Sequence, residues 1–161
     1  MFFAILLIAT TLLVALVTGL VFTFAVVVMP GLGRLPDAAF VRGFQMVDGV
    51  IQDGSPPFML AWLGSAVALV AAAIWGLWVL DMPGRVLLGG AAVLYVLGLQ
   101  VPTVAINVPM NNVLQKVDAN DAEQVTAARQ AFEGRWNRWN LARTIVSVIV
   151  LVLLAVVLVR L

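Results

Sequence analysis

The chain has 161 residues, 63% of them hydrophobic and 11% charged, with a net charge of +1 and neither cysteine nor histidine. Those absences exclude disulfides, thiol redox pairs, iron–sulfur clusters, and imidazole as a base or as a ligand for haem, copper or zinc. The scattered acids make no carboxylate centre for magnesium or calcium, and the near-neutral balance gives no case for nucleic acid.

Four apolar runs exceed the length of about 18 residues that marks a membrane span. They cover roughly 2–29, 57–80, 86–108 and 141–161. They predict an all-α polytopic membrane protein, a single domain over 1–161. Its architecture is an antiparallel four-helix bundle with both chain ends on one side. The first run lacks the basic start and small-residue cleavage site of a secretory signal and is read as a retained helix. Its Thr10, Thr11, Thr18 and Thr23 are expected to bond back to their own helix, and Ala15 with Gly19 offers a close-packing notch. Met29-Pro30-Gly31-Leu32-Gly33 is read as its end.

Arg34 to Gln52 is too polar to span. Phe40, Phe44, Val47 and Ile51 recur at helical spacing, so the segment reads as a short amphipathic helix on the membrane or on the mouth of the bundle. Asp37 is a candidate cap near its start. Arg42, Gln45 and Asp48 form its polar side, for which a solvated face is the simplest account. Asp53 to Pro57 is a turn. The second span carries a ladder of small residues, Gly64, Ala68, Ala72 and Gly76, which predicts close helix packing. Trp75 and Trp78 suit the membrane boundary, and Asp81 to Arg85 is a tight reversal into an antiparallel third helix.

Wound as a helix, Gln100, Thr103, Asn107 and Asn111 fall within roughly 80° on the third span, with Pro102 and Pro109 opposite. Intramembrane polar groups face either a partner helix or a cavity; four of them beside two prolines fit both. Lys116 to Glu133 holds most of the remaining charge. Asn120 with Glu123 resembles a capping box, and Val125, Ala128 and Phe132 mark a second surface helix that runs into the fourth span, with Gly134 as a candidate bend. The chain then enters the fourth span through Arg135-Trp136-Asn137-Arg138-Trp139-Asn140-Leu141-Ala142-Arg143. Trp136, Trp139, Asn140, Arg143 and Ser147 fall within roughly 100° of one another.

Connectivity alone puts both long connections and these polar helix ends on one side of the membrane. Asn107, Asn111, Asn140, Arg143 and Gln45 can therefore meet at one mouth. A guanidinium there needs acceptors, because an unpaired buried charge costs several kcal/mol. Asparagine carbonyls or an anionic ligand would serve.

Asn107-Val-Pro109-Met-Asn111, followed by Trp136-Asn-Arg-Trp139-Asn140-Leu-Ala-Arg143, resembles the anthrone-oxygenase-like membrane proteins. Met29-Pro30-Gly31, Phe44-Gln45 and Pro56-Pro57-Phe58 extend the resemblance across nearly the whole chain. The resemblance implies oxidation of an anthrone to an anthraquinone by dioxygen, with no metal, flavin or other cofactor. It implies catalytic roles for Arg143, Asn140, Asn107 and Asn111 around an oxyanion. Trp136, Trp139, Gln45, Gln100 and Ser147 would bind the substrate. A base is less evident: Asp48 or Asp53 would have to approach, or Arg143 would lower the substrate's own pKa. The expected partners are the lipid bilayer and a hydrophobic small molecule. The competing reading is a membrane protein that binds a quinone, a lipid or a partner subunit without turnover, and a third is polar glue between helices. Arg34, Arg42, Lys116, Arg135 and Arg138 at the mouth outnumber Arg85 and Arg160 opposite, so the positive-inside rule directs the mouth to the cytoplasm of a bacterial-type membrane.

Overall fold

The computed structural model describes all residues, 1–161, as five helices. Helix α1 runs Phe2–Leu32, α2 Asp37–Gln52, α3 Pro56–Val79, α4 Met82–Gln115 and α5 Ala122–Val159. All but α2 are long and apolar enough to cross a membrane. They form the antiparallel bundle that the four runs predict, and α2 lies across one end, packed on α1, α4 and α5. The start of α5 is at that same end, so both long connections share one side.

The helices overrun their apolar stretches. At 1.5 Å per residue, the 34 residues of α4 and 38 of α5 rise roughly 51 and 57 Å, against a hydrocarbon core of about 30 Å. As expected, the surface segment before the fourth span runs into it as one helix, unbroken at Gly134. Val125, Phe132, Trp136, Asn140, Arg143, Ser147 and Val150 are all buried on one continuous stripe. A bend would have split that stripe. Its N-cap is Asp121, which accepts from the backbone N–H of Glu123 and Gln124, rather than Asn120, whose Oδ1 accepts from Arg42. Asp37 is likewise no cap; it lies in the first turn of α2 and pairs with Arg129.

Pro30 does not end α1, which continues to Leu32. A π turn at Phe24–Val28 precedes it, and π turns at Val96–Gln100 and Thr103–Asn107 precede Pro102 and Pro109. A proline ring collides with the carbonyl four residues back and lacks the N–H that would bond it. The wider i→i+5 turn relieves both problems without breaking the helix. It also shifts every downstream side chain relative to an ideal helical wheel.

The core has two parts. The half far from α2 is aliphatic, with Leu7, Val14, Leu69, Leu88 and Leu154 around Tyr95, whose hydroxyl meets Ser65 Oγ at 2.8 Å. The half beneath α2 is aromatic. Phe44 meets Phe132 edge-on at 4.7 Å and Trp136 at 5.6 Å between ring centroids, and Phe24 meets Trp136 at 5.6 Å. Thr11 and Thr18 bond back to their own helix as expected.

The small-residue ladder on α3 is buried only at Ala72 and Gly76. The closest approach lies elsewhere. A Cβ on Gly98 of α4 would sit 2.7 Å from Val146 Cγ1 on α5, whereas one on Gly64 would meet only Leu13 Cδ1 at an ordinary 3.5 Å. Gly98→Ala is expected to cost about 1–3 kcal/mol by overpacking, and Gly64→Ala to be neutral. Thermal unfolding of the two variants in one detergent checks the pair; equal melting temperatures would mean the α4–α5 seam can yield.

Outside the membrane region, two contacts close the ends. Arg129 donates to the Gly33 and Leu35 carbonyls and to Asp37 and Glu133, tying the α1–α2 corner to α5. Its guanidinium is held more basic than usual, first by the Glu133 hydrogen bond. At the far end Asp81 caps α4 through Gly84 N–H at 2.8 Å, and that bond lowers its carboxyl below the ordinary value. The cap is therefore at full strength above the usual carboxylate range and fades as pH falls through the lowered value.

Candidate functional site

Arg143 is the unusual group. It is 5% exposed, and no carboxylate pairs with it. Nη1 donates to Thr103 Oγ1 and Nη2 to Asn140 Oδ1, both at 2.9 Å, while Nε has no partner. The guanidinium carbon lies 5.8 Å from the centre of the Trp136 ring. Asn140 is itself held by Val21 O of α1 at 3.0 Å, just before the first π turn. A buried cation is thus fixed by neutral groups alone, leaving its charge uncompensated. Such a charge is costly unless something anionic visits it.

The opposite pole is Asp48 on α2, 3% exposed. Oδ1 accepts from Asn111 Nδ2 at 2.7 Å; Oδ2 accepts from Gln52 Nε2 at 2.6 Å and Gln115 Nε2 at 2.9 Å. Asn111 Oδ1 in turn accepts from Trp136 Nε1 at 2.8 Å. One polar chain therefore runs from Asp48 through Asn111 and Trp136 to the face of Arg143. It follows the α4–α5 wall of a cavity of about 320 Å³, at the lower end of small-molecule sites.

Every helix contributes to the lining of that cavity. Phe24, Phe44, Phe58, Trp62 and Trp136 supply aromatic walls, and Asp48, Thr103, Asn107, Asn111, Asn140 and Arg143 the polar positions. Three of these residues carry buried polar atoms without partners: both Nδ2 and Oδ1 of Asn107, Nε1 of Trp62, and Nε of Arg143. Buried polar groups nearly always find partners. Thr10 Oγ1 and Asn137 Oδ1, away from the cavity, are likewise buried without a partner.

Of the nine residues singled out in the sequence, Arg143, Asn140, Asn107, Asn111 and Trp136 line this cavity, and four do not. Trp139 is 37% exposed on the outside of the bundle. It sits at the edge of the α5 stripe, where an indole suits the membrane boundary. Gln45 donates to the Leu114 and Val117 carbonyls, closing the end of α4. Gln100 donates to Trp62 O at 3.2 Å and holds α3 to α4. Ser147, fully buried, bonds only to Thr144 O of its own helix. Asp53 is exposed.

Thr103, Phe24, Phe44, Phe58 and Trp62 were missed as lining residues. Thr103 carried a sequence signal in the polar stripe of α4, and Phe44 and Phe58 stood among the residues of the family resemblance. Aromatic residues on α1, α2 and α3 read as core or lipid contacts until the helices are assembled.

Fold and site together define a polytopic membrane bundle with a partly open aromatic pocket, cationic at its deep end and acidic at its mouth. The chain belongs to the anthrone oxygenase family, whose description matches residues 58–153. That stretch takes in α3, α4 and most of α5, including both asparagine motifs and Arg143; α1 and α2, which supply Phe24 and Asp48, precede it. No curated protein and no solved structure matches the chain.

Proposed function

We propose that the protein is a membrane oxygenase that oxidises a fused-ring aromatic of the anthrone type to its quinone, using dioxygen and no cofactor. The observation that carries this reading is the uncompensated Arg143 guanidinium on the wall of an aromatic cavity. It suits an oxyanion that forms during the reaction.

Asp48 takes a proton from the ring CH₂, and the electrons delocalise onto the carbonyl oxygen across the ring. That oxyanion is held by Arg143 and by the deep polar groups around it, Thr103, Asn140 and Asn107. The delocalised anion passes one electron to dioxygen. The resulting radical pair combines as a C–O bond, giving a hydroperoxide once protonated. Loss of the second C–H proton with cleavage of the O–O bond then yields the quinone and one water. One dioxygen supplies one oxygen atom to each product.

Asp48 and the Arg143–Thr103 pair both lie on the lining of the one cavity. A carboxylate offers about four lone-pair sites, and the three amides on Asp48 leave one for the substrate. Phe24, Phe44, Trp62 and Trp136 would hold the ring faces and exclude water.

The partners in this reading are the lipid bilayer and a hydrophobic small molecule. The excess of arginine and lysine at the α2 end directs the mouth to the cytoplasmic face of a bacterial-type membrane. The test uses purified protein in lipid vesicles with 9-anthrone and an oxygen electrode. One dioxygen consumed per quinone formed, with no peroxide released, is the expected result. Saturable anthrone binding with turnover no faster than empty vesicles would instead make this a binding protein.

A further inference from the structure

The cavity has one side that no bond closes. Asn140 ties α5 to α1, and Arg143 ties α5 to α4 through Thr103. Helices α1 and α3 pack along their length. Towards water, α2 is pinned across the mouth by Gln115, which reaches both Asp48 and the Gln45 carbonyl, and by Asn111. Only the seam between the first half of α3 and the second half of α4 differs. Ser65–Tyr95 and Gln100–Trp62 are its last bonds, and the helices part beyond them.

The cavity residues along this seam are Phe58 and Trp62 on one edge and Val108 and Asn112 on the other. Val108 is 40% exposed while lining the cavity, so the interior and the outside meet at that side chain. The flanks outside the seam are Leu60, Leu63, Val101 and Val104, all exposed and all apolar. Towards the mouth the exposed rim is polar, at Gln52 and Asn112, so the opening lies where hydrocarbon meets water.

We infer that the α3–α4 seam at Phe58 and Val108 is a lateral portal, through which the ligand enters from the bilayer. The substrate class is accordingly a lipid-dissolved aromatic delivered from the membrane phase. The inference rests on the proposed oxygenase reading only for what travels the path; the path itself is a property of the cavity. Val108 lies between Thr103 and Asn111 along α4, about one and a half turns from the first and one from the second, so an entering ring would pass between the two poles.

The absence of cysteine allows a test that needs no turnover. Thr103→Cys puts one thiol on the cavity wall beside the Arg143 guanidinium, which favours the reactive thiolate. Leu99→Cys, on the same wall, is the second reporter should the first variant fail to fold. Protein in lipid vesicles is treated with N-pyrenylmaleimide, which dissolves in the bilayer, or with a sulfonated, membrane-impermeant maleimide applied to both faces. The expected result is labelling by the first reagent only. Adding Val108→Trp, a lipid-facing change that narrows the seam, should slow that labelling by about an order of magnitude. The same change at Val156 on the outer face of α5 should leave it unaltered. Equal labelling by the sulfonated reagent, indifference to Val108→Trp, or no labelling of either cysteine would each overturn the portal. No anthrone turnover by the unsubstituted protein in the same vesicles, with the labelling pattern of the variants intact, would overturn the oxygenase reading alone.

Discussion

Arg143→Met is expected to remove anthrone turnover by about 10²–10³-fold while leaving the melting temperature unchanged or higher. The catalytic loss is of the size seen when a preorganised donor to an oxyanion is taken away. The stability result follows from the partners. Arg143 binds a threonine hydroxyl and an asparagine carbonyl, with no carboxylate and with Nε unbonded. Replacing a buried charge by an apolar side chain of similar length removes its desolvation cost, and such changes are often neutral or stabilising. Thr103 and Asn140 keep other bonds, to Leu99 O and Val21 O. Arg143→Lys should also lose most turnover, because an ammonium cannot keep both bonds of the planar fork. Turnover and thermal unfolding are to be measured on the same preparations. A fall in melting temperature that tracks the lost activity would make Arg143 glue between α4 and α5.

Asp48→Asn should cost about 10²–10⁴-fold in turnover, the usual contribution of a positioned base. Stability should fall as well, because three amide donors converge on this carboxylate. An amide in its place offers one oxygen and brings an NH₂ group against other N–H donors. The two effects separate with pH. If Asp48 is the base, the deficit of the variant should shrink as pH rises towards the point where the anthrone ionises unaided. Anthrone binding should survive, since Arg143 and the aromatic walls are untouched. A deficit constant across pH, or loss of binding in step with turnover, would make Asp48 a clamp that only fastens α2 to α4.

These two residues also show how unevenly the site could be read. Arg143 stands out on any helical wheel, because a cation one turn inside an apolar span has few innocent explanations. Asp48 does not: on an amphipathic helix with Arg42 and Gln45 it looks like one more solvated acid. Only the docking of α2 onto Asn111 and Gln115 buries it. Trp139 and Trp136 fail in the opposite direction. Three residues apart, they share a face too broadly for a wheel to separate them, and packing sends one inward and the other to the membrane boundary. Gln100 falls on the polar stripe of a constant-turn wheel, yet its amide is taken up by the Trp62 carbonyl of α3, a contact that no wheel displays.

The apolar runs and their lengths determined four spans, their antiparallel order and the common side of both long connections. Those are consequences of covalent connectivity and of the cost of exposing backbone to lipid, and both are local or topological facts. The same runs could not say where helices continue through proline, because the π turns that allow it depend on carbonyls finding new partners. The cavity was decided only by tertiary structure. It exists because α3 and α4 part beyond Trp62 and Gln100 while α2 covers the end, an arrangement of surfaces far apart in the chain. The orphaned atoms of Asn107, Trp62 and Arg143 arise the same way, since whether a polar group is satisfied depends on its neighbours in space.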